Sequence, residues 1–233
     1  MSAVALGKKA AVPATAERKP KGRGHERREE ILAAAARMFL EKGVERVSTR
    51  AIAEAVGISQ TSLYVYFPNR NAILEELCDQ CFLRLIERFS SPEVQSGTPP
   101  ESLRKMMRAY VEFGIDHSDE YRIGFMMKEM HEHPSKHEVA ALLDGSVPRE
   151  TAPPGMRCFL MLQDRVNEIA AMGLLRGDPR LIAQVIWATG HGLVTLLITM
   201  DDFPWFERGA LIDGAIDVQF HGMLVAPSRV TNR

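Results

Sequence analysis

Apolar positions in this chain recur at helical spacing. From about His25, Ile31, Ala35, Met38 and Phe39 fall on one face with charged residues opposite, and Gly43 is placed to end that helix as a left-handed cap. In VSTRAIAEAVG, Ser48 or Thr49 caps a second helix, Ile52, Ala53 and Val56 form its buried side, and Gly57 forces a turn. Ser59 is placed to cap a third, short helix over Gln60–Tyr66, which Pro68 terminates. Asn69 then caps a fourth, through ILEELCDQCFLRLIERF to about Phe89.

Beyond the loop SSPEVQSGTPPE, Thr98 and Glu101 have capping-box spacing and Pro99 occupies a favoured first-turn position, so a fifth helix is predicted to about His117. Ser118 or Asp119 starts a sixth through YRIGFMMKEM, and a polar loop is expected from His131 to Pro154. Further helices are expected from Gly155 to Met172 with Gly173 as the stop, from Asp178-Pro179 to Met200, and from Trp205 to Leu224. With no strand alternation and no repeat, the fold is predicted to be all-α. Residues 1–24, rich in Ala, Lys, Arg, Gly and Pro without an apolar period, read as a disordered basic arm. The expected division is a helix-turn-helix domain over 25–70, a helical ligand-binding and dimerisation domain over 71–225, and a tail over 226–233.

One stretch, ISQTSLYVYFPNR at 58–70, is polar over one turn and aromatic over the next. A helix that only filled a core would have no use for the polar tip of Gln60, Thr61 and Ser62. Two short helices joined at Gly57 and preceded by a longer one match a helix-turn-helix unit, whose second helix enters the DNA major groove N-terminus first. Leu63 and Phe67, at i and i+4, then anchor that helix to the core.

Charge supports this division. Residues 1–70 hold 13 Lys+Arg against 7 Asp+Glu, a balance of +6, and residues 71–233 hold 16 against 23, a balance of −7. A basic end on an acidic body suits a polyanionic partner for the first part alone. Three cysteines in 233 residues argue for reduced thiols rather than a disulfide framework. No run of about 18 uninterrupted apolar residues suggests a membrane span, and no apolar run follows Lys8 and Lys9, so a cytoplasmic protein is expected.

The segment TRAIAEAVGISQTSLYVYFPNRNAILEEL resembles the DNA-binding domain of the TetR family of bacterial repressors: a Thr at the second helix, an Ile-Ala pair, Gly-Ile-Ser at the turn, Leu-Tyr, Tyr-Phe, a basic residue, then a Leu on the fourth helix. The resemblance covers roughly residues 25–75. Asn71 stands where the family usually has an acidic residue, and Arg70 where it more often has Lys. Position by position, the resemblance implies that Thr49, Tyr64, Tyr66 and Arg70 contact the DNA backbone, and that Arg50, Gln60, Thr61 and Ser62 face base edges. The side chains suit those roles, since Arg bonds guanine O6/N7, Gln bonds adenine N6/N7, and a tyrosine hydroxyl donates to phosphate; for Tyr66, packing is the competing role.

After residue 75 the resemblance narrows to AYVEFGIDHSDEYRIGFMM and IWATGHGLVTLLI, similar to a subgroup with a Trp, His, Gly signature, here Trp187, His191 and Gly192. The segments around them carry Phe113, Phe125, Met126, Met127, Met130, Phe159, Met161, Trp187, His191 and Met200, more aromatic and methionine bulk than one helix seam demands. Such residues either fill a core or line a pocket for an apolar or planar effector; Phe113, Phe125, Met126, Met130, Phe159, Trp187 and His191 are the candidates for it. The last two helices are apolar over more than one face, which predicts burial by a second subunit. The resemblance likewise implies a homodimer with a four-helix interface, binding palindromic double-stranded operator DNA and released by a small molecule.

Two other chemistries compete. His131, His133 and His137 lie beside Glu132 and Glu138 and are candidates for a metal-responsive site or a metal-dependent enzyme, but Pro134 breaks the helix that would align them. Cys78 and Cys81 form a C-x-x-C inside a helix, which allows a redox-responsive regulator. There is no Gly-rich phosphate loop and no nucleophile motif, so neither a cofactor nor catalysis is expected.

Overall fold

A computed structural model describes residues 24–127 and 135–225. Among them the chain is helical, and its only extended pairing is an isolated antiparallel bridge between Leu175 and Leu224. In chain order the helices are α1 (Gly24–Lys42), α2 (Thr49–Ala55), α3 (Gln60–Leu63), α4 (Arg70–Phe89), α5 (Pro92–Gln95), α6 (Pro99–Asp116), α7 (Ser118–Tyr121), α8 (Lys136–Asp144), α9 (Pro154–Ala171), α10 (Pro179–Thr199) and α11 (Arg208–Met223).

Helix starts coincide with capping side chains. Ser48, Ser59 and Asn69 accept the backbone N–H three residues on, at 3.1, 3.0 and 2.8 Å, and Asp178 accepts two at the head of α10. Thr98 and Glu101 close the capping box of α6. Gly57 turns the chain between α2 and α3 at φ 70°, a conformation that suits glycine.

Three elements differ from the sequence expectation. The loop after α4 contains α5, capped by Ser91 with Pro92 at its first position. The segment expected to be a loop up to Pro154 contains α8, where Ser135 and Glu138 form a second capping box and Leu142 is buried beside Ala152 and Leu160. After α7 the chain widens into a π-turn over Arg122–Met126 instead of continuing one α-helix. α3 also ends at Leu63, and residues 64–66 continue as turns.

Two large apolar cores result, beside the small cluster around Leu142. The first joins Ile31 and Phe39 of α1, Ile52 of α2, Leu63, Phe67, and Ile73, Leu74 and Cys78 of α4, with Ile123 reaching in from the π-turn. The second joins Cys81, Leu85 and Phe89 of α4 to α6, Tyr121, α9, α10 and α11. The cores meet inside α4, between Cys78 and Cys81.

α10 is the exception to efficient burial. Of its 21 residues, Ala183, Ile186 and Val194 are buried, whereas Leu181, Val185, Trp187 and Leu196 are exposed, as are Val218 on α11 and Phe206 before it. α10 is long and apolar enough by length and composition to cross a membrane, at mean hydropathy 1.7 over its most apolar window, although Arg180, Gln184, Thr189 and His191 interrupt its apolar run.

Candidate functional site

The reading tip is rigid where it meets the core and polar where it faces out. Leu63 and Phe67 are fully buried, as their i, i+4 spacing predicts, while Thr61, Ser62, Tyr64 and Val65 are exposed. Gln60 lies between these layers. Its amide Nε2 donates to Thr49 Oγ1 and to Tyr64 Oη, each at 3.0 Å, and those two oxygens are 3.3 Å apart. This triangle ties the start of α2 to α3 and commits both amide protons, leaving Oε1 as the free acceptor. Bidentate reading of adenine needs one donor and one acceptor from the same amide, so the triangle must open for Gln60 to take that role.

Arg50 is well exposed and paired with Glu54 at 2.9 Å, an i, i+4 surface contact worth a few tenths of a kcal/mol (~0.3–0.5), so its guanidinium is easily released from that partner. Arg70 is held differently. Its Nη1 donates to the carbonyl of Val44 at 2.9 Å and Nη2 lies 3.4 Å from Glu45, so the guanidinium clamps the start of α4 to the turn after α1. Tyr66 is half-buried against the first core. Sequence reasoning missed Arg28, which pairs with Glu76 of α4, donates to the Tyr66 carbonyl at 2.8 Å and lies 4.2 Å over the Phe67 ring. Its partners are 38 to 48 residues away, and no local signal marks them.

The body holds a partly open cavity of about 1230 Å³ bounded by α4, the π-turn, α6, α8, α9, α10 and α11. Phe125, Phe159, Trp187 and His191 line it, together with Phe82 and Tyr110, which the sequence did not single out. Phe113 is buried in the second core with its ring 5.0 Å from His117, and Met126 is partly exposed; neither lines the cavity. Met130 lies outside the described residues. Aromatic pairs form part of the wall: Phe125 meets Phe82 edge-on at 4.7 Å, and Phe159 lies 5.6 Å from Trp187.

Behind this wall Tyr121 is fully buried and stacked on Phe125 at 4.4 Å. Its Oη lies 2.9 Å from Tyr110 Oη and 2.6 Å from His191 Nδ1. Burial is the main cause that pushes both phenols well above the usual tyrosine range, and it also lowers the His191 pKa, favouring the neutral ring.

The thiols are in the opposite condition to reactive ones. Cys78, Cys81 and Cys158 are free and buried; burial drives Cys78 upward and carries Cys81 and Cys158 to about 12. Among the described residues no group of three His, Cys, Asp or Glu side chains is placed to hold a metal. His137 is exposed on α8, and His131 and His133 lie outside the described residues.

Residues 31–77 match the family described as bacterial regulatory proteins, tetR family, and residues 103–217 match the tetracyclin repressor-like C-terminal domain. The nucleoid occlusion factor SlmA of Pasteurella multocida is 30% identical over 89 residues, 38% of this chain and 45% of that protein. Matches to the first curated relatives span 31% to 45% of their length. Among solved structures, the ketosteroid transcriptional regulator KstR2 of Mycobacterium tuberculosis superposes with TM-score 0.58 at 22% identity, over 86% of this chain and 96% of that one. The fatty acid degradation regulator FadR from Bacillus halodurans gives 0.62 at 18%, over 87% and 97%. The chain is a DNA-binding transcriptional regulator rather than an enzyme, and it belongs to the TetR family.

Proposed function

We propose that this regulator is a repressor that grips a palindromic operator as a homodimer and releases it when a small apolar or aromatic molecule occupies the body cavity. The observation that carries the reading is a physical link between cavity and reading head. Phe125 lines the cavity, and Ile123, two residues earlier in the same π-turn, is buried in the core of the head. Gly124 between them packs so closely on α4 that an added Cβ would lie 2.9 Å from Cys81 Sγ. A ligand that displaces Phe125 therefore pushes on α4 and on the head core together.

A dimer reads two half-sites only when its recognition helices lie about 34–36 Å apart, so a small pivot of α4 suffices to lose the site. The ligand drives release to the extent that it binds the splayed form better. The second subunit covers the exposed apolar faces of α10 and α11, which also explains why a membrane-length helix lies on the surface of this chain. At the tip, Arg50, Gln60, Thr61 and Ser62 face base edges, Tyr64 and Thr49 face phosphates, and Arg70 acts as the clamp that sets the angle of α4. Relatives described by ketosteroids and by fatty acid degradation accord with an apolar effector. The protein works in the cytoplasm, where its DNA lies.

Operator selection from a random duplex pool, followed by calorimetry of a releasing compound with and without operator, tests this function. Operator must weaken effector binding by the same factor by which effector weakens operator binding. Equal effector affinity in the two titrations refutes the mechanism.

A further inference from the structure

The cavity carries a polar feature that an apolar pocket does not need. Tyr110, Tyr121 and His191 form a hydrogen-bonded chain, 2.9 Å from hydroxyl to hydroxyl and 2.6 Å from hydroxyl to Nδ1. Two proton orders satisfy these contacts. In one, Tyr110 donates to Tyr121 and Tyr121 to Nδ1, so every hydroxyl proton is paired and a neutral ring carries its own proton on Nε2. In the other, Nδ1 donates outward, which strands the Tyr110 proton and leaves Nε2 a bare acceptor. The first order leaves fewer unpaired groups, and the burial that keeps the imidazole neutral is compatible with it.

No protein group among the described residues bonds Nε2, and His191 lines the cavity. We propose that His191 offers its Nε2–H to the cavity as an unpaired donor, and that the effector is an apolar, aryl-bearing molecule whose acceptor oxygen, a carbonyl, docks there. This rests on the cavity being the effector site. Phe125, 5.8 Å from His191, puts an aromatic ring beside that donor, so an aryl group next to the oxygen would find a ring partner. The competing polar anchors on the lining are the carboxylates Glu75 and Asp79 on the α4 side, which would choose an amine, and the Arg180 guanidinium with the Asn71, Gln184 and Gln219 amides, whose pull on a ketone would survive His191→Phe.

Three probes with one ring system separate these cases: acetylnaphthalene, isopropenylnaphthalene and naphthylethylamine, titrated calorimetrically into the full chain. The ketone is expected to bind about five- to tenfold tighter than the hydrocarbon, the advantage of one net hydrogen bond, with the amine weakest. His191→Phe should keep hydrocarbon binding and erase the ketone advantage, and His191→Gln, which retains a donor, should restore part of it. Tyr121→Phe conserves volume and frees the tautomer, so it should shrink the advantage even if the His191 variants fold poorly. Equal binding of ketone and hydrocarbon, a ketone advantage that survives His191→Phe, or an amine that binds tightest overturns the donor assignment and leaves the cavity reading standing. Failure of all three probes to bind refutes the cavity reading and the donor assignment with it.

Discussion

The reading head and the body solve opposite problems with the same helices. In the head, Leu63, Phe67, Ile52 and Ile31 are fully buried, and Gln60, Arg28 and Arg70 are each tied to partners on other elements. The body keeps a cavity of about 1230 Å³ and exposes Leu181, Trp187 and Val218. A protein interior normally packs without such space, so the head is built to hold one shape, whereas the body has room that an effector would fill under the proposed function.

The largest expected effect breaks the rigid side of that contrast. Phe67→Ala removes a buried ring and the surface under Arg28, and should cost about 3–5 kcal/mol, measured as a fall in thermal midpoint together with loss of operator binding. The incomplete side breaks at α11. Val218→Asp places an unpaired charge in the proposed subunit interface and should weaken dimerisation on the order of a hundredfold by sedimentation, with the head still folded.

A smaller change tests the tip. Gln60→Ala removes the side chain that joins Thr49 to Tyr64, and should relax base preference at one position by about 1–3 kcal/mol in a binding-site selection. An unchanged preference would leave Gln60 as a brace between α2 and α3.

The smallest effect is one of pH. Because burial lowers the His191 pKa in the folded state below its ordinary 6.5, the unfolded chain takes up the proton first as pH falls. The stabilisation is therefore complete above the unfolded pKa and is lost as pH falls through 6.5 towards the folded value. Thermal midpoints recorded from pH 8 down to pH 5 should drop slightly more for the natural chain than for His191→Phe, the sign being the test.

Helix positions were legible in the sequence, because a cap and a period act within a few residues. Ser59 to Ser62, Asn69 to Ala72 and Thr98 to Glu101 each span three residues, and each marks a helix start in the structure. The misses are of two kinds. α8 was overlooked where a polar stretch hid the Ser135–Glu138 box, and the π-turn leaves no periodic trace in five residues.

By itself, then, the sequence determined an all-helical chain with a helix-turn-helix near its start and apolar helices at its end, since those follow from local hydrogen bonding and from which faces avoid water. Tertiary structure alone decided which aromatic side chains line the cavity and which, like Phe113, fill the core. It decided that Arg28 braces the turn after α3, that Gln60 bridges two helices, and that Tyr121 meets His191 across 70 residues of chain. Those contacts depend on where helices cross, and a crossing is set by the packing of many side chains at once rather than by any short stretch of sequence.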